Sequence, residues 1–156
     1  ALNDLLAKQP AAIVFYRGGW CPYCNAHLAK LQQIENDLTG AGYQILAVSP
    51  DDAEHLKATA TKDKVSYALM SDEGMVAARA FGLAFRLDET TLKKYKDFRI
   101  DLSVSSGGST SDVLPVPAFY LVDKDGTITF AFTSPDYKKR ISTDEIKDAL
   151  NAAKKD

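Results

Sequence analysis

The stretch Ala11-Ala12-Ile13-Val14-Phe15-Tyr16-Arg17-Gly18-Gly19-Trp20-Cys21-Pro22-Tyr23-Cys24 joins two kinds of secondary structure. Its first six residues form a continuous apolar run, β-branched and aromatic, as expected of a strand buried on both faces. Arg17-Gly18-Gly19 breaks the run. From Pro22 onward, Leu28, Leu31, Ile34 and Leu38 recur at helical spacing until Gly40 and Gly42. Cys21 therefore falls at the mouth of a helix, where unpaired amide donors and the helix dipole favour an anionic sulfur and a lowered thiol pKa. Pro22 suits the first turn, which needs no amide hydrogen. Cys24 returns to the same helical face, within reach of Cys21. The pair predicts an attacking thiolate at Cys21 and a resolving thiol at Cys24.

Outward from this junction the chain alternates between strand and helix. Leu2, Leu5 and Leu6 suggest a short leading helix. Tyr43 to Val48 reads as a second buried strand, and Ser49-Pro50-Asp51-Asp52 as a helix start with a hydroxyl cap and proline in the first turn. A third strand is expected over Val65 to Met70, then a helix from Glu73 to Phe81 stopped by Gly82. Asp88 to Phe98 predicts a more polar helix, and Ser103 to Thr110 a Ser/Gly-rich loop. Ala118 to Val122 and Thr127 to Phe132 flank Asp123-Lys124-Asp125-Gly126, which predicts an antiparallel hairpin. That tetrapeptide is turn chemistry, too short for a calcium loop. Ser142 and Glu145 form a capping box for a last helix running to the lysine-rich end. Such alternation predicts one α/β domain over residues 1–156, a mixed central sheet flanked by helices with an inserted helix and loop before the hairpin.

Composition excludes several function classes. The 156 residues carry 19 basic and 21 acidic side chains, a net charge of −2, so no basic excess is available to hold a nucleic-acid backbone. No apolar run approaches the roughly 18 residues of a membrane span. Two cysteines three positions apart cannot staple a domain, because a bond between them constrains almost nothing in the unfolded chain. A zinc centre wants four ligands, whereas Cys21, Cys24 and His27 supply three, so no metal and no cofactor is expected. Buried structural cysteines are a further alternative, in poor agreement with a glycine turn after a buried strand. His27 and His55 are expected on helix surfaces. Trp20 is either an apolar shelf for substrate or a packed core residue. Arg17 and Arg140 are candidates to support the thiolate; the alternatives are an exposed strand-end arginine and a solvated basic loop.

At these residues the sequence resembles the peroxiredoxin-like branch of the alkyl hydroperoxide reductase/thiol-specific antioxidant (AhpC/TSA) family, within the thioredoxin-like fold. The resemblance rests on Phe15 to Asn25, Ala80-Phe81-Gly82-Leu83, Leu114-Pro115-Val116-Pro117-Ala118, Asp123-Lys124-Asp125-Gly126 and Pro135-Asp136-Tyr137 with Arg140. Members usually begin with a further N-terminal strand segment; with Ala1 in place of Met, a trimmed start is expected. In a thioredoxin-type fold, Pro117 implies a cis proline facing the active disulfide, with the neighbouring Val116 backbone free to pair with substrate. The other reading is a trans proline opening an edge strand. Typical peroxiredoxins place a proline, a hydroxyl and an arginine where this chain has Val14, Gly18 and Pro117. The Pro-Tyr dipeptide between the cysteines is that of glutaredoxins.

These departures put thiol–disulfide exchange first among the expected activities, serving antioxidant defence or redox homeostasis. A thiol peroxidase acting on hydrogen peroxide or organic hydroperoxides through Cys21 stands second, and a non-catalytic redox-sensing module third. The expected partners are a disulfide or hydroperoxide substrate and an external reductant of the thioredoxin or glutathione type, with no nucleic acid and no membrane. A soluble, cytoplasmic location is preferred, and the oligomeric state is left open.

Overall fold

The structure is a computed structural model, and it describes residues 2–153. In chain order the elements are α1 (Leu2–Leu6), β1 (Ala11–Phe15), α2 (Pro22–Gln33), α3 (Glu35–Gly40), β2 (Gln44–Ser49), α4 (Ala53–Asp63) and β3 (Ala68–Ser71). A 3-10 turn (Glu73–Met75) then leads to α5 (Val76–Ala80), β4 (Ala84–Arg86), α6 (Glu89–Asp97), α7 (Leu102–Ser105), β5 (Val113–Pro115), β6 (Ala118–Val122), β7 (Ile128–Thr133) and α8 (Thr143–Ala153).

Five strands form one mixed sheet in the order β3-β2-β1-β6-β7, with β1 parallel to β2 and antiparallel to β6. Every residue of the central strand β1 is buried, as its unbroken apolar run requires. The period of two divides the strand between two cores. Ala12, Val14 and Tyr16 face a core built with α2, α4 and α8, which includes Cys21, Cys24, Leu28 and Ile146. Ala11, Ile13 and Phe15 face the other side, against Leu6, Met75 and Ala78. The cysteines therefore sit over one face of the sheet, at the end of its central strand. Among the described residues no helix is long and apolar enough to cross a membrane.

The hairpin forms with its first strand as expected and its second one residue later, at Ile128–Thr133, with Gly126 at φ +86° closing its turn and Asp123 N–H donating to Thr127 O (2.9 Å). The capping box forms as well: Ser142 N–H donates to Glu145 Oε2 (2.8 Å) and Glu145 N–H to Ser142 Oγ (3.2 Å). Residues 154–156, the lysine-rich end, lie outside the described residues.

Other expectations shift. The cap of α4 is Asp52, whose Oδ1 accepts from His55 N–H (2.9 Å), and not Ser49. Ser49 remains in β2, where its carbonyl accepts from Asp72 N–H, and the Asp51 carboxylate turns inward instead of facing the helix. The third strand begins at Ala68, because the left-handed Lys64 (φ 53°) turns Val65 and Tyr67 into the core first. The helix expected over 73–81 is broken at Gly74 and Met75, both with positive φ, before α5 begins. Ser103–Thr110 is not all loop: Asp101 caps the short helix α7. A small ribbon, β4 against β5, brackets the inserted α6 and α7, and no periodicity announced it.

Candidate active site

The turn between β1 and α2 is pinned from several directions. Gly19 N–H donates to the buried Asp51 Oδ2 (2.7 Å), while its carbonyl accepts from Asn25 Nδ2 (2.9 Å) and Lys62 Nζ (2.8 Å). Gly18 has φ +147°, and a Cβ there would come within 2.9 Å of Asp51 Oδ1. A Cβ on Gly19 would strike the Thr59 hydroxyl. The two glycines thus allow the chain to pass close beneath α4 before it enters α2.

Cys21 is the extended N-cap residue of α2, and Pro22 occupies its first turn. Both cysteines are free thiols and both are buried, Cys21 at 2% exposure and Cys24 at 0%. Their environments separate them. Cys21 is lowered from 9.0 to about 6, first by hydrogen bonding from the Cys24 thiol, then by the Cys24 amide and the positive charges of Arg17 and Arg140, against an opposing contribution from burial. Cys24 is raised well above the ordinary thiol value, first by burial and then by its proton being shared toward Cys21. Arg140 Nη2 lies 3.3 Å from Cys24 Sγ. At neutral pH these shifts favour a thiolate at the helix mouth and a protonated thiol one turn inside.

Arg17 is not an exposed strand-end residue. It is 5% exposed, and three rings enclose its guanidinium, with Cζ 4.3 Å from the Tyr137 centroid, 5.1 Å from Trp20 and 5.6 Å from Tyr95. Its Nε finds no hydrogen-bond partner among the described residues, and the same holds for Arg140 Nε. Trp20 is partly buried: it packs edge-on against Tyr95 (5.4 Å) and forms part of a cavity wall. That cavity, about 560 Å³, also takes in Cys21, Arg17, Val116 and Pro117.

Pro117 is in a trans peptide, since no peptide bond among the described residues is cis. Nor is the Val116 backbone free on its donor side: its N–H donates to Leu83 O (2.8 Å), continuing the β4–β5 ribbon. His27 is also unlike its expectation. It is buried on the inner face of α2, and its pKa falls to about 3, chiefly through burial and next through the charges of Arg140 and Lys30. It remains neutral and joins no metal cluster; no three His, Cys, Asp or Glu groups among the described residues are arranged to hold a metal. His55 is partly exposed and paired with Asp52 (2.7 Å).

Four cavity residues carry no signal in the motifs quoted above, Phe85 on β4, Leu87 and Tyr95 around α6 and Phe98 at its end, and Tyr137, quoted there only as part of a motif, lines the cavity as well. The available signal was Leu92, Tyr95 and Phe98 recurring at i, i+3 and i+6 in an otherwise polar helix.

Comparison with known proteins defines the class. The family model of the AhpC/TSA family matches residues 1–131, so the chain belongs to that family. Among curated relatives it is 25% identical over 126 residues to chloroplastic peroxiredoxin Q of Gentiana triflora, covering 81% of this chain and 48% of the relative. With peroxiredoxin Bcp of Escherichia coli (strain K12) it shares 29% over 75 residues, 48% of each chain. The chain spans about half the length of the curated relatives it matches. Reduced Prx3 of Vibrio vulnificus, in complex with H2O2, superposes with TM-score 0.77 at 16% identity, over 98% of this chain and 84% of that one. Peroxidoxin BcpB of Mycobacterium tuberculosis does so with TM-score 0.72 at 17%, over 97% and 84%. The fold is therefore thioredoxin-like, in its peroxiredoxin form.

Proposed function

We propose that the chain is a thiol-dependent peroxidase, acting on hydroperoxides through Cys21 and Cys24. The observation that carries this reading is the pair of guanidinium groups beside the sulfurs, Arg17 enclosed in its rings and Arg140 on Cys24, each with an unused buried donor. Peroxide reduction needs donors of this kind to polarise the O–O bond and to stabilise the departing oxyanion. The place of the missing peroxiredoxin hydroxyl and arginine is thus taken from other positions in the chain. The relatives' names, all peroxiredoxins, support the same reading.

In the first step the Cys21 thiolate attacks one peroxide oxygen. An S–O bond forms, the O–O bond breaks, and the alkoxide or hydroxide leaves as alcohol or water after taking a proton. Cys24 then attacks the Cys21 sulfenic acid, forming the internal disulfide and releasing water. An external thiol of the thioredoxin or glutathione type restores both thiols by exchange, and is itself oxidised. The cavity is far larger than hydrogen peroxide and is walled by Trp20, Tyr95 and Phe98, which favours organic hydroperoxides with an apolar body.

Disulfide exchange, the activity the Pro-Tyr dithiol put first, loses support where Val116 N–H is already paired within the fold. The two are separated by mixing the reduced chain with cumene hydroperoxide or hydrogen peroxide and following its single tryptophan by stopped flow, beside an assay of protein-disulfide reduction. Oxidation much faster than that of a free thiol is expected. A rate no faster, with brisk disulfide reduction, would reverse the assignment. The third possibility, a dithiol that only senses redox state, predicts no turnover with either substrate.

A further inference from the structure

The loop between β7 and α8 touches both arginines through one residue. The Tyr137 ring is the nearest of the three around Arg17, at 4.3 Å, and meets Tyr23, which lies between the cysteines, edge-on at 5.7 Å. Its carbonyl accepts a hydrogen bond from Arg140 Nη1, and the Nη2 of the same guanidinium rests 3.3 Å from Cys24 Sγ. The loop is held by its own turns: Asp136 N–H donates to Ser134 Oγ (3.2 Å) and Lys139 N–H to Asp136 O (2.9 Å). Yet Tyr137 is 40% exposed and belongs to no core cluster, so packing alone does not account for an aromatic side chain here.

We infer that Tyr137 is a positioning residue for the sulfur pair, its ring holding Arg17 toward Cys21 while its backbone carbonyl anchors Arg140 on Cys24. A planar guanidinium over a ring face has a defined orientation as well as an attraction, which a flexible surface arginine lacks. The inference rests on the proposed role of Cys21 as the reactive thiolate. It does not depend on which electrophile that thiolate meets. The groups acting on Cys21 are Cys24 on its own helix, Arg17 after β1 and Arg140 from the loop, and Tyr137 touches both arginines.

The test is the pH dependence of iodoacetamide alkylation of the reduced 156-residue chain, with Cys21 and Cys24 resolved by peptide mass spectrometry. In the unaltered chain the Cys21 rate should fall with a midpoint near the value of about 6. Tyr137→Leu, which removes the ring and keeps the backbone carbonyl, should move that midpoint upward by about one pH unit, with a several-fold loss of rate at pH 6. Tyr137→Phe should leave the curve in place, and Arg17→Met should move it at least as far as Tyr137→Leu. If Tyr137→Leu fails to fold, Tyr137→Met supplies apolar bulk without a π face and is read in the same way. A merely structural role would lower the melting temperature and leave the midpoint unmoved; that result overturns the inference. So does an Arg17→Met curve that coincides with the unaltered one. Because alkylation involves no peroxide, a shifted midpoint in a chain without peroxidase activity would sustain the positioning role and reject the proposed reaction.

Discussion

Two regions meet at the cavity, and they are specified in different ways. On one side the β1–α2 junction supplies Arg17, Trp20 and both cysteines from eight consecutive residues. On the other, the wall comes from the β4–β5 ribbon, the inserted α6 and the loop after β7, brought together from residues 85 to 137. The junction is buried and pinned by Asp51, Asn25 and Lys62. The facing wall has no residue of α6 buried, and Phe98 is 75% exposed. A buried, locally encoded half suits chemistry that cannot tolerate displacement, whereas an exposed half can vary in shape to suit the substrate.

The largest effect should come from the junction's sulfur. Cys21→Ser is expected to lower peroxide turnover by at least on the order of 10³-fold, since a hydroxyl at neutral pH is no substitute for a thiolate. Cys24→Ser should still allow one fast oxidation of Cys21 but no internal disulfide, so a burst without turnover is expected in stopped flow. Steady turnover by Cys21→Ser would remove the junction from the chemistry altogether.

Next in size is the backbone itself. Gly19→Ala drives a methyl group into the Thr59 hydroxyl and should cost about 1–3 kcal/mol in urea unfolding. Adding Thr59→Ala should restore part of that loss. Gly82→Ala, where a Cβ meets nothing within 4 Å but φ is +69°, tests strain without collision and should cost less. Equal costs at the two glycines would mean that close approach to α4 is not what Gly19 provides.

The same contrast explains what could be read from the sequence. The junction announced itself because its evidence is local: an apolar run, a glycine break, a proline in the first turn and cysteines at helical spacing. The hairpin and the capping box were legible for the same reason. Long-range pairing left no such trace. Nothing in Ala84-Phe85-Arg86 indicates that it will pair with Val113-Leu114-Pro115, yet that ribbon takes up the Val116 N–H. Arg17 and His27 look like ordinary surface residues in isolation. They are buried because rings and helices from distant parts of the chain close over them. Ser49-Pro50-Asp51-Asp52 satisfies the rules for a helix start three residues too early, since Asp51 binds Gly19 and leaves Asp52 to cap.

His27 provides a test of that burial. Its pKa of about 3 in the fold lies below the ordinary 6.5, so the unfolded chain binds the additional proton between those values. Its contribution to stability is therefore intact above pH 6.5 and is lost as pH falls toward 3, by at most about 1.4 kcal/mol per pH unit. Urea midpoints at pH 7 and pH 5 should separate more for the unaltered chain than for His27→Leu. Equal separation would place His27 in contact with solvent.

The smallest effect is expected at the exposed wall, and it bears most directly on substrate choice. Phe98 borders the cavity but is largely open to solvent, so Phe98→Ser removes apolar surface without creating a void in a core. Stability should change by less than about 0.5 kcal/mol. An apolar organic hydroperoxide that lies along this wall would lose contact area both before and during reaction, a uniform loss that raises KM and leaves kcat nearly unchanged. Removing part of an apolar contact in a half-open site should amount to about a 3- to 10-fold rise in KM. Hydrogen peroxide has no apolar body to place there, and its kinetics should not move. Steady-state measurements with cumene hydroperoxide and hydrogen peroxide, in the unaltered chain and in Phe98→Ser, distinguish these outcomes. A parallel loss for both substrates would mean that α6 supports the junction instead of selecting the substrate, and the division between a fixed half and an adaptable half would fail at the place where it is most exposed.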